Sequence, residues 1–254
     1  MSSLKDKIVL VTGASSGIGE ACVKKFSAEG ARVIMMARRL RRLKELSRKL
    51  KNDSYPVEID VRESGAVERA VGALPPDWAD VDVLVNNAGL SRGLDRFQEA
   101  SLQDWEEMID TNIKGLLYIS RAILPGMVKR GRGHVINIGS IAGHEVYARG
   151  NVYCATKHAV DALTKGMRLD LVDTPVRVST VDPGLVETEF SMVRFRGDRD
   201  RAKAVYQGYK PLTGDDIADA VVWVASRPDH VQIAEVIIFP SAQASAAVTY
   251  KTIE

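Results

Sequence analysis

Tyr153 and Lys157 stand four positions apart in Asn151 to Asp161, NVYCATKHAVD, a stretch that reads as the opening turns of a helix. Side chains at that spacing lie one above the other on a single helix face, so a phenol and an ammonium group could work on one small volume. A phenol ordinarily titrates near roughly 10, and a nearby lysine cation favours the phenolate, which brings proton exchange closer to neutral pH. Taken alone, the same spacing fits an exposed helix pair. Upstream, Ser140 closes the run GHVINIGS at a strand end, and Asn112 lies in MIDTNIKG on the long helix before that strand.

A second set of residues points to a ligand with phosphates. TGASSGIGEACVKKF sets Gly13, Gly17 and Gly19 in a turn between a strand and a helix. Glycines let backbone N–H groups approach a pyrophosphate, and the helix N-terminus adds partial positive charge. The spacing is G-x-x-x-G-x-G rather than G-x-G-x-x-G, so a purely structural turn stays open on glycine positions alone. At the end of the second strand, where NAD sites carry an acid, MMARRLRRLKEL offers Arg38 and Arg39. Guanidinium groups there suit the 2′-phosphate of NADP, and Ser15 in the turn could add a hydrogen bond. The remaining basic residues from Arg41 to Lys51 read as a solvated helix face. Asp60 and Val61, ending EIDV, could meet an adenine amino group. In VNNAG, small Ala88 and Gly89 would let a cofactor lie close to the sheet, whereas the two asparagines read equally well as turn formers.

These residues need a frame. KIVLVT, RVIMMA, PVEIDV, VDVLVNN, GHVINIGS, VRVSTVDPG and EVIIFP alternate with amphipathic helical patterns. Strands apolar on both faces and separated by helices predict an α/β fold: a single-domain, doubly wound, Rossmann-like parallel sheet with helices on both faces, spanning 1–254. Two places break the rhythm. The Arg-rich segment 188–210 reads either as a lid over the site or as a solvated excursion. The ending SAQASAAVTYKTIE reads as a loose tail or a subunit contact.

Bulk properties narrow the class. A formal charge of +2 and a pI near 8.5 are too mild for nucleic-acid binding, and a small-molecule substrate is the better expectation. Two cysteines, Cys22 and Cys154, support neither a disulfide framework nor a thiolate metal site, and their use fits the reducing cytoplasm. Cys154 reads as a small filler. No targeting or membrane-spanning segment is visible. His134, His144, His158 and His230 lack ligand-like spacing with one another, so no metal is expected.

TGASSGIG, NNAG, the set Asn112, Ser140, Tyr153 and Lys157, and DPGLVET occur in the order found in the short-chain dehydrogenase/reductase family, which the chain resembles from Lys7 to about Pro240. The resemblance implies that Tyr153 is the acid in carbonyl reduction and the base in alcohol oxidation, with Ser140 donating to the substrate oxygen. It implies that Lys157 binds the nicotinamide ribose and depresses the Tyr153 pKa. Asn112 would hold a water that passes protons towards Lys157, against the plainer reading of an Asn bonded to nearby backbone. NADP(H) would contact Gly13, Ser15, Ser16, Gly17, Ile18 and Gly19 in the turn. Arg38, Arg39, Asp60, Val61, Asn87, Ala88 and Gly89 would line its adenosine side, and Pro183, Gly184, Val186 and Thr188 would wrap the nicotinamide end.

The C-terminal part is similar to the branch of NADP-dependent 3-hydroxy acid dehydrogenases that act on serine, allo-threonine and malonic semialdehyde. An anionic substrate wants a cation, and Arg149, Arg194 and Arg196 are candidates. Carbonyl or ketosteroid reductases share parts of this ending, and a non-catalytic NADPH-sensing protein would keep the fold without needing the proton donor. By analogy with the family, a homotetramer is expected, with the helices carrying Asn112 and Tyr153 at its interfaces.

Overall fold

All seven runs form strands, and their burial shows why. In the computed structural model, which describes residues 4–252, every residue of β1 (Ile8–Thr12) is buried. Side chains alternate across a strand. Val9 and Val11 therefore join one core, with Phe26, Ile217 and Val221, while Ile8 and Leu10 join a second on the opposite face, with Val67, Ile119 and Met127. Burying a side chain such as Phe26 completely contributes about 1.5–3 kcal/mol. Continuous apolar strands are what a sheet covered on both faces demands.

The chain runs β1, α1 (Gly17–Ala28), β2 (Arg32–Ala37), α2 (Leu40–Ser47), β3 (Ser54–Glu58), α3 (Ser64–Gly72) and β4 (Val83–Asn86). It continues through α4 (Leu102–Ile109), α5 (Gly115–Arg130), β5 (Gly133–Ile138), α6 (Asn151–Asp170) and β6 (Val176–Pro183). Two short helices, α7 (Glu189–Arg194) and α8 (Arg199–Ala204), precede α9 (Gly214–Ala225) and β7 (Glu235–Ile238). The strands are all parallel, in the order β3-β2-β1-β4-β5-β6-β7. The chain winds outwards from β1 to β3, then crosses to β4 and winds the other way. That reversal opens a crevice at the carboxyl ends of the strands, next to β1 and β4.

Local chemistry sets the element ends. Thr213 and Asp216 form a reciprocal capping box at the start of α9, with Thr213 N donating to Asp216 Oδ2 at 2.7 Å. Gly131, at φ 63°, takes the left-handed conformation that ends α5. Between α4 and α5 the turns widen into a π-helical segment, Asp110–Lys114, so Asn112 sits on a bulge rather than in a regular helix. The edges depart from the expectation of two covered faces. β7 leaves Glu235 and Ile237 exposed, and β3 is only partly buried and accommodates Pro56 because it pairs on one side alone.

Segment 188–210 is a folded piece of the molecule, α7 and α8 joined through Arg196 at φ 51° and Gly197 at φ 92°. Residues 241–252 of the ending are held within the chain and are not a loose tail. Gln243 is buried and accepts from Leu185 N at 2.8 Å, Ala246 N donates to Glu145 at 2.9 Å, and Thr252 N donates to the Gly208 carbonyl at 2.8 Å.

Candidate active site

A cleft of about 410 Å³ lies over the carboxyl ends of the strands, within the size range of small-molecule pockets, roughly 300–1,000 Å³. Its floor at one end is the turn after β1. Gly13 and Gly17 have φ of 66° and 55°, and a Cβ on Gly13 would come within 2.9 Å of the Asn87 amide nitrogen. Gly19 does not line the cleft. A Cβ there would lie 2.5 Å from the Gly13 carbonyl oxygen, so this glycine lets α1 pack onto the turn. Asn87 ties β4 to β1, donating from Nδ2 to the Thr12 carbonyl at 2.8 Å, while Thr12 Oγ1 accepts from Asn87 N and Ala88 N, each at 3.0 Å. Asn86 is buried and donates to Ser120 and Asn137, each at 2.9 Å. The plainer reading of the asparagines thus describes their bonds, although Asn87 also faces the cleft with Ala88 and Gly89.

Arg39 Nε donates to Ser15 Oγ at 3.0 Å, and another of its nitrogens donates to Ser16 Oγ at 2.7 Å. Glu189, at the start of α7, accepts from Arg39 at 2.9 Å and Arg42 at 2.6 Å. Arg42, expected on a solvated face, instead pairs with Glu189, which no sequence pattern singles out. The available signal is a carboxylate directly after Thr188, at the start of an Arg-rich segment. Ile18, Arg38, Asp60 and Val61 line the cleft. Asp60 binds Arg62 through both carboxylate oxygens, the shortest contact being 2.6 Å. Partial burial pushes its pKa up, but the Arg62 hydrogen bonds and charge outweigh this and hold the carboxyl below its usual range.

At the other end β5 delivers Ser140, and the first turns of α6 deliver Tyr153 and Lys157, all three buried and facing the cleft. Lys157 Nζ donates to the Ile138 carbonyl at 2.9 Å. Burial lowers the Lys157 pKa to about 8, with the Asp182 carboxylate opposing. The expected depression of the Tyr153 pKa is not what this geometry gives. Burial raises it, and the Arg194 charge and the Ser140 hydroxyl pull only partly the other way. An exposed i,i+4 pair would be governed by its partner's charge, whereas a buried phenol is governed first by loss of water.

Asn112 is buried behind the cleft and does not line it. Its Oδ1 accepts from Leu90 N at 2.8 Å, and its Nδ2 donates to the Leu90 carbonyl at 2.8 Å and to Thr156 Oγ1 at 3.0 Å. The backbone-bonded reading therefore describes its contacts, to a neighbouring segment rather than to its own helix. Pro183, Gly184, Val186 and Thr188 all face the cleft. Thr188 also caps α7, accepting from Phe190 N at 3.2 Å.

The three arginines separate. Arg149 is exposed and outside the cleft, and Arg196 turns outwards to an ion pair with Asp104, so both expectations are corrected. Arg194 is 9% exposed and lines the buried end of the cleft, 5.2 Å from the Tyr153 ring and 5.1 Å from the Phe190 ring. It donates to the Tyr147 hydroxyl at 2.9 Å, and its buried Nε has no hydrogen-bond partner. Tyr147, Phe190 and Tyr206, which carry no motif in the sequence, complete this wall. His144 meets Asp182 and Glu235, neighbours brought in by strands that spacing between histidines could not reveal.

The arrangement can hold a dinucleotide along the strand ends and exchange a proton at its buried end. Residues 7–199 match the family described as short chain dehydrogenase. The chain is similar to the NADP-dependent 3-hydroxy acid dehydrogenase YdfG of Escherichia coli K12, with 49% identity covering 94% of this chain and 97% of that protein. It is also similar to the NADP-dependent 3-hydroxy acid dehydrogenase of Schizosaccharomyces pombe, 40% identical over 99% of each chain. Among solved structures, the closed form of serine dehydrogenase complexed with NADP+ superposes with a TM-score of 0.93 at 47% identity, over 97% of this chain and 100% of that one. Two strand-end motifs, a phenol and ammonium pair on α6 and this match across most of the chain agree: the protein belongs to the short-chain dehydrogenase family.

Proposed function

We propose that the protein is an NADP(H)-dependent oxidoreductase that interconverts the hydroxyl and carbonyl groups of a small 3-hydroxy acid, of the serine, allo-threonine or 3-hydroxypropionate and malonic semialdehyde type. The observation that carries the substrate class is Arg194, a buried cation with an unused donor beside Tyr153. Such a group fits a substrate carboxylate through charge-assisted hydrogen bonds. The names of the relatives support the same reading.

The residues present fit the cofactor. Gly13 and Gly17 take the positive φ that the turn needs and line the cleft where a pyrophosphate would lie, and Arg39, Ser15 and Ser16 form a polar cluster for a 2′-phosphate. When bound, the nicotinamide supplies or accepts the hydride. In the reducing direction the Tyr153 phenol gives its proton to the substrate oxygen, while the Ser140 hydroxyl donates a hydrogen bond to that oxygen. In the oxidising direction the Tyr153 oxygen takes the proton back. A phenol with a raised pKa keeps its proton until the substrate oxygen gains negative charge, and Lys157, one turn along α6, favours the phenolate that remains. Asn112 lies next to this pair, since a Cβ on Gly89 would be 3.3 Å from its Oδ1 and 3.8 Å from Lys157 Nζ. We assign it the water that returns a proton towards Lys157. Segment 188–210 acts as the lid that excludes water, supported by Glu189, Phe190 and Arg194 lining the cleft.

The test is NADPH oxidation with malonic semialdehyde and with a neutral aldehyde such as propanal, for the wild type and Arg194→Ala. The variant should lose about 10²-fold in kcat/KM for the acid and little for propanal, the loss expected when a charged contact is removed from a buried site. Equal losses for both substrates would sink the carboxylate role. Turnover of ketones or steroids only would move the protein to the carbonyl reductases.

Assembly as a homotetramer in the cytoplasm completes the reading. It is supported by apolar Ile109, Leu117 and Leu169 left exposed on α4, α5 and α6. No helix among the described residues is long and apolar enough to cross a membrane. Sedimentation should give four times the chain mass of 27.8 kDa, and a monomer or dimer would refute the tetramer.

A further inference from the structure

Behind the catalytic end lies a group of titratable side chains that the proposed chemistry does not use. Asp182, on β6, is 2% exposed and presses so closely on Gly139 that no Cβ could be placed there. Its Oδ1 accepts from Ser140 N at 3.1 Å and from Thr180 Oγ1 at 3.0 Å. Its Oδ2 has no hydrogen-bond partner and lies 3.6 Å from His144 Nε2, which is 3.2 Å from Glu235 Oε1 on β7. His144 follows the tight turn Ile141–Gly143, which Ser140 itself caps by accepting from Ala142 N at 3.1 Å. That turn sits against α6, where a Cβ on Gly143 would come within 2.8 Å of the Lys157 carbonyl.

One carboxylate therefore holds the backbone N–H of the substrate-binding serine and presses on Gly139, the residue after Ile138, whose carbonyl accepts from Lys157 Nζ at 2.9 Å. We infer that Asp182, with the His144 and Glu235 pair behind it, is a positioning residue that fixes Ser140 and supplies the counter-charge for the Lys157 ammonium. The groups facing Asp182 are Thr180 on its own strand, His144 from the turn after β5, Glu235 from β7 and Lys157 from α6. Burial raises the Asp182 pKa to about 6, so the carboxylate is charged at neutral pH, where a counter-ion for Lys157 is needed. Lys157 is drawn towards its neutral form by burial, and a buried ammonium keeps its proton better beside an anion.

This inference rests on the proposed reaction for its kinetic readout but has a second readout that does not. Asp182→Asn keeps an oxygen for Ser140 N and Thr180 while removing the charge. NMR of 15N-lysine-labelled protein reports Lys157 titration directly, with Lys157→Met identifying the signal. In Asp182→Asn the midpoint should fall by about one pH unit, the size of effect one nearby charge produces. In turnover of malonic semialdehyde, the limb of the kcat/KM profile belonging to Lys157 should move to lower pH by the same amount, with KM changed less than twofold. Asp182→Ala should in addition lower kcat about tenfold, because Ser140 N loses its acceptor. His144→Gln should give a smaller shift in the same direction. An unchanged Lys157 titration in Asp182→Asn would overturn the inference even if Asp182→Ala does not fold. A wild type that shows no turnover would instead sink the proposed reaction and leave the NMR result to decide this one.

Discussion

At the phosphate end of the cleft the side chains of Arg39 and Arg42 are 43% and 46% exposed and share Glu189, whereas at the catalytic end Tyr153, Lys157 and Arg194 are each below 10% exposed. The exposed pairs are screened by water and salt, so each is weak and easily exchanged for another anion. Glu189 can yield Arg39 to a phosphate with little desolvation to overcome. The buried groups have lost water, the proton affinities of Tyr153 and Lys157 are shifted, and each group depends on the geometry of its neighbours. A protein can thus bind a charged cofactor reversibly at one end of a cleft and hold acid–base groups in fixed relation at the other.

The contrast can be broken most severely at the buried end. Tyr153→Phe keeps the ring contact with Phe190, whose centroid lies 5.6 Å away, and removes only the proton donor. Turnover measured by nicotinamide absorbance should fall by about 10³-fold while NADPH affinity by fluorescence stays within about twofold, as for loss of a general acid. Retention of a tenth of the activity would deny Tyr153 its role. The exposed end should respond more gently. Arg39→Ala should raise the KM for NADPH about tenfold and leave that for NADH unchanged, with a weaker dependence on salt than the wild type. An equal effect on both cofactors would mean that Arg39 shapes the turn and does not read the 2′-phosphate.

The smallest effect concerns burial alone, away from the cleft. His134 on β5 is 1% exposed, with Nε2 2.8 Å from Ser179 Oγ, and burial lowers its pKa to about 3. The unfolded chain takes up this proton below roughly 6.5, whereas the folded chain does so only near the lower value. Stability should therefore be lost as pH falls through that window, by up to about 1.4 kcal/mol per pH unit from this residue. Urea midpoints at pH 6.5 and 4 should show a shallower pH dependence in His134→Asn, and an unchanged slope would remove His134 from the acid response.

Much of this was legible in the chain. RVIMMA coincides with β2, and the arginines in MMARRLRR stand beside the glycine turn because a parallel strand has to end near the turn after its neighbour. Tyr153 and Lys157 could be paired from spacing, since helix periodicity is a local property. The choice among Arg149, Arg194 and Arg196 was not legible. All three lie in segments near the cleft, and only the packing of α7 against Tyr147 and Tyr153 turns one of them inwards. The raised Tyr153 pKa was hidden for a related reason, because burial depends on what the rest of the chain brings to the site.

The sequence by itself determined the parallel α/β sheet, the glycine turn, the basic residues at its side and the pairing of Tyr153 with Lys157, each carried by spacing within or beside a strand or helix. Only the tertiary structure decided which arginine faces the phenol, that Glu189 occupies the arginines at the phosphate end, and that Asp182, His144 and Glu235 meet behind Ser140. Residues 144, 182 and 235 come from three separate segments of the chain, and no local periodicity links them. Their meeting is fixed by the strand order, in which β5, β6 and β7 lie side by side.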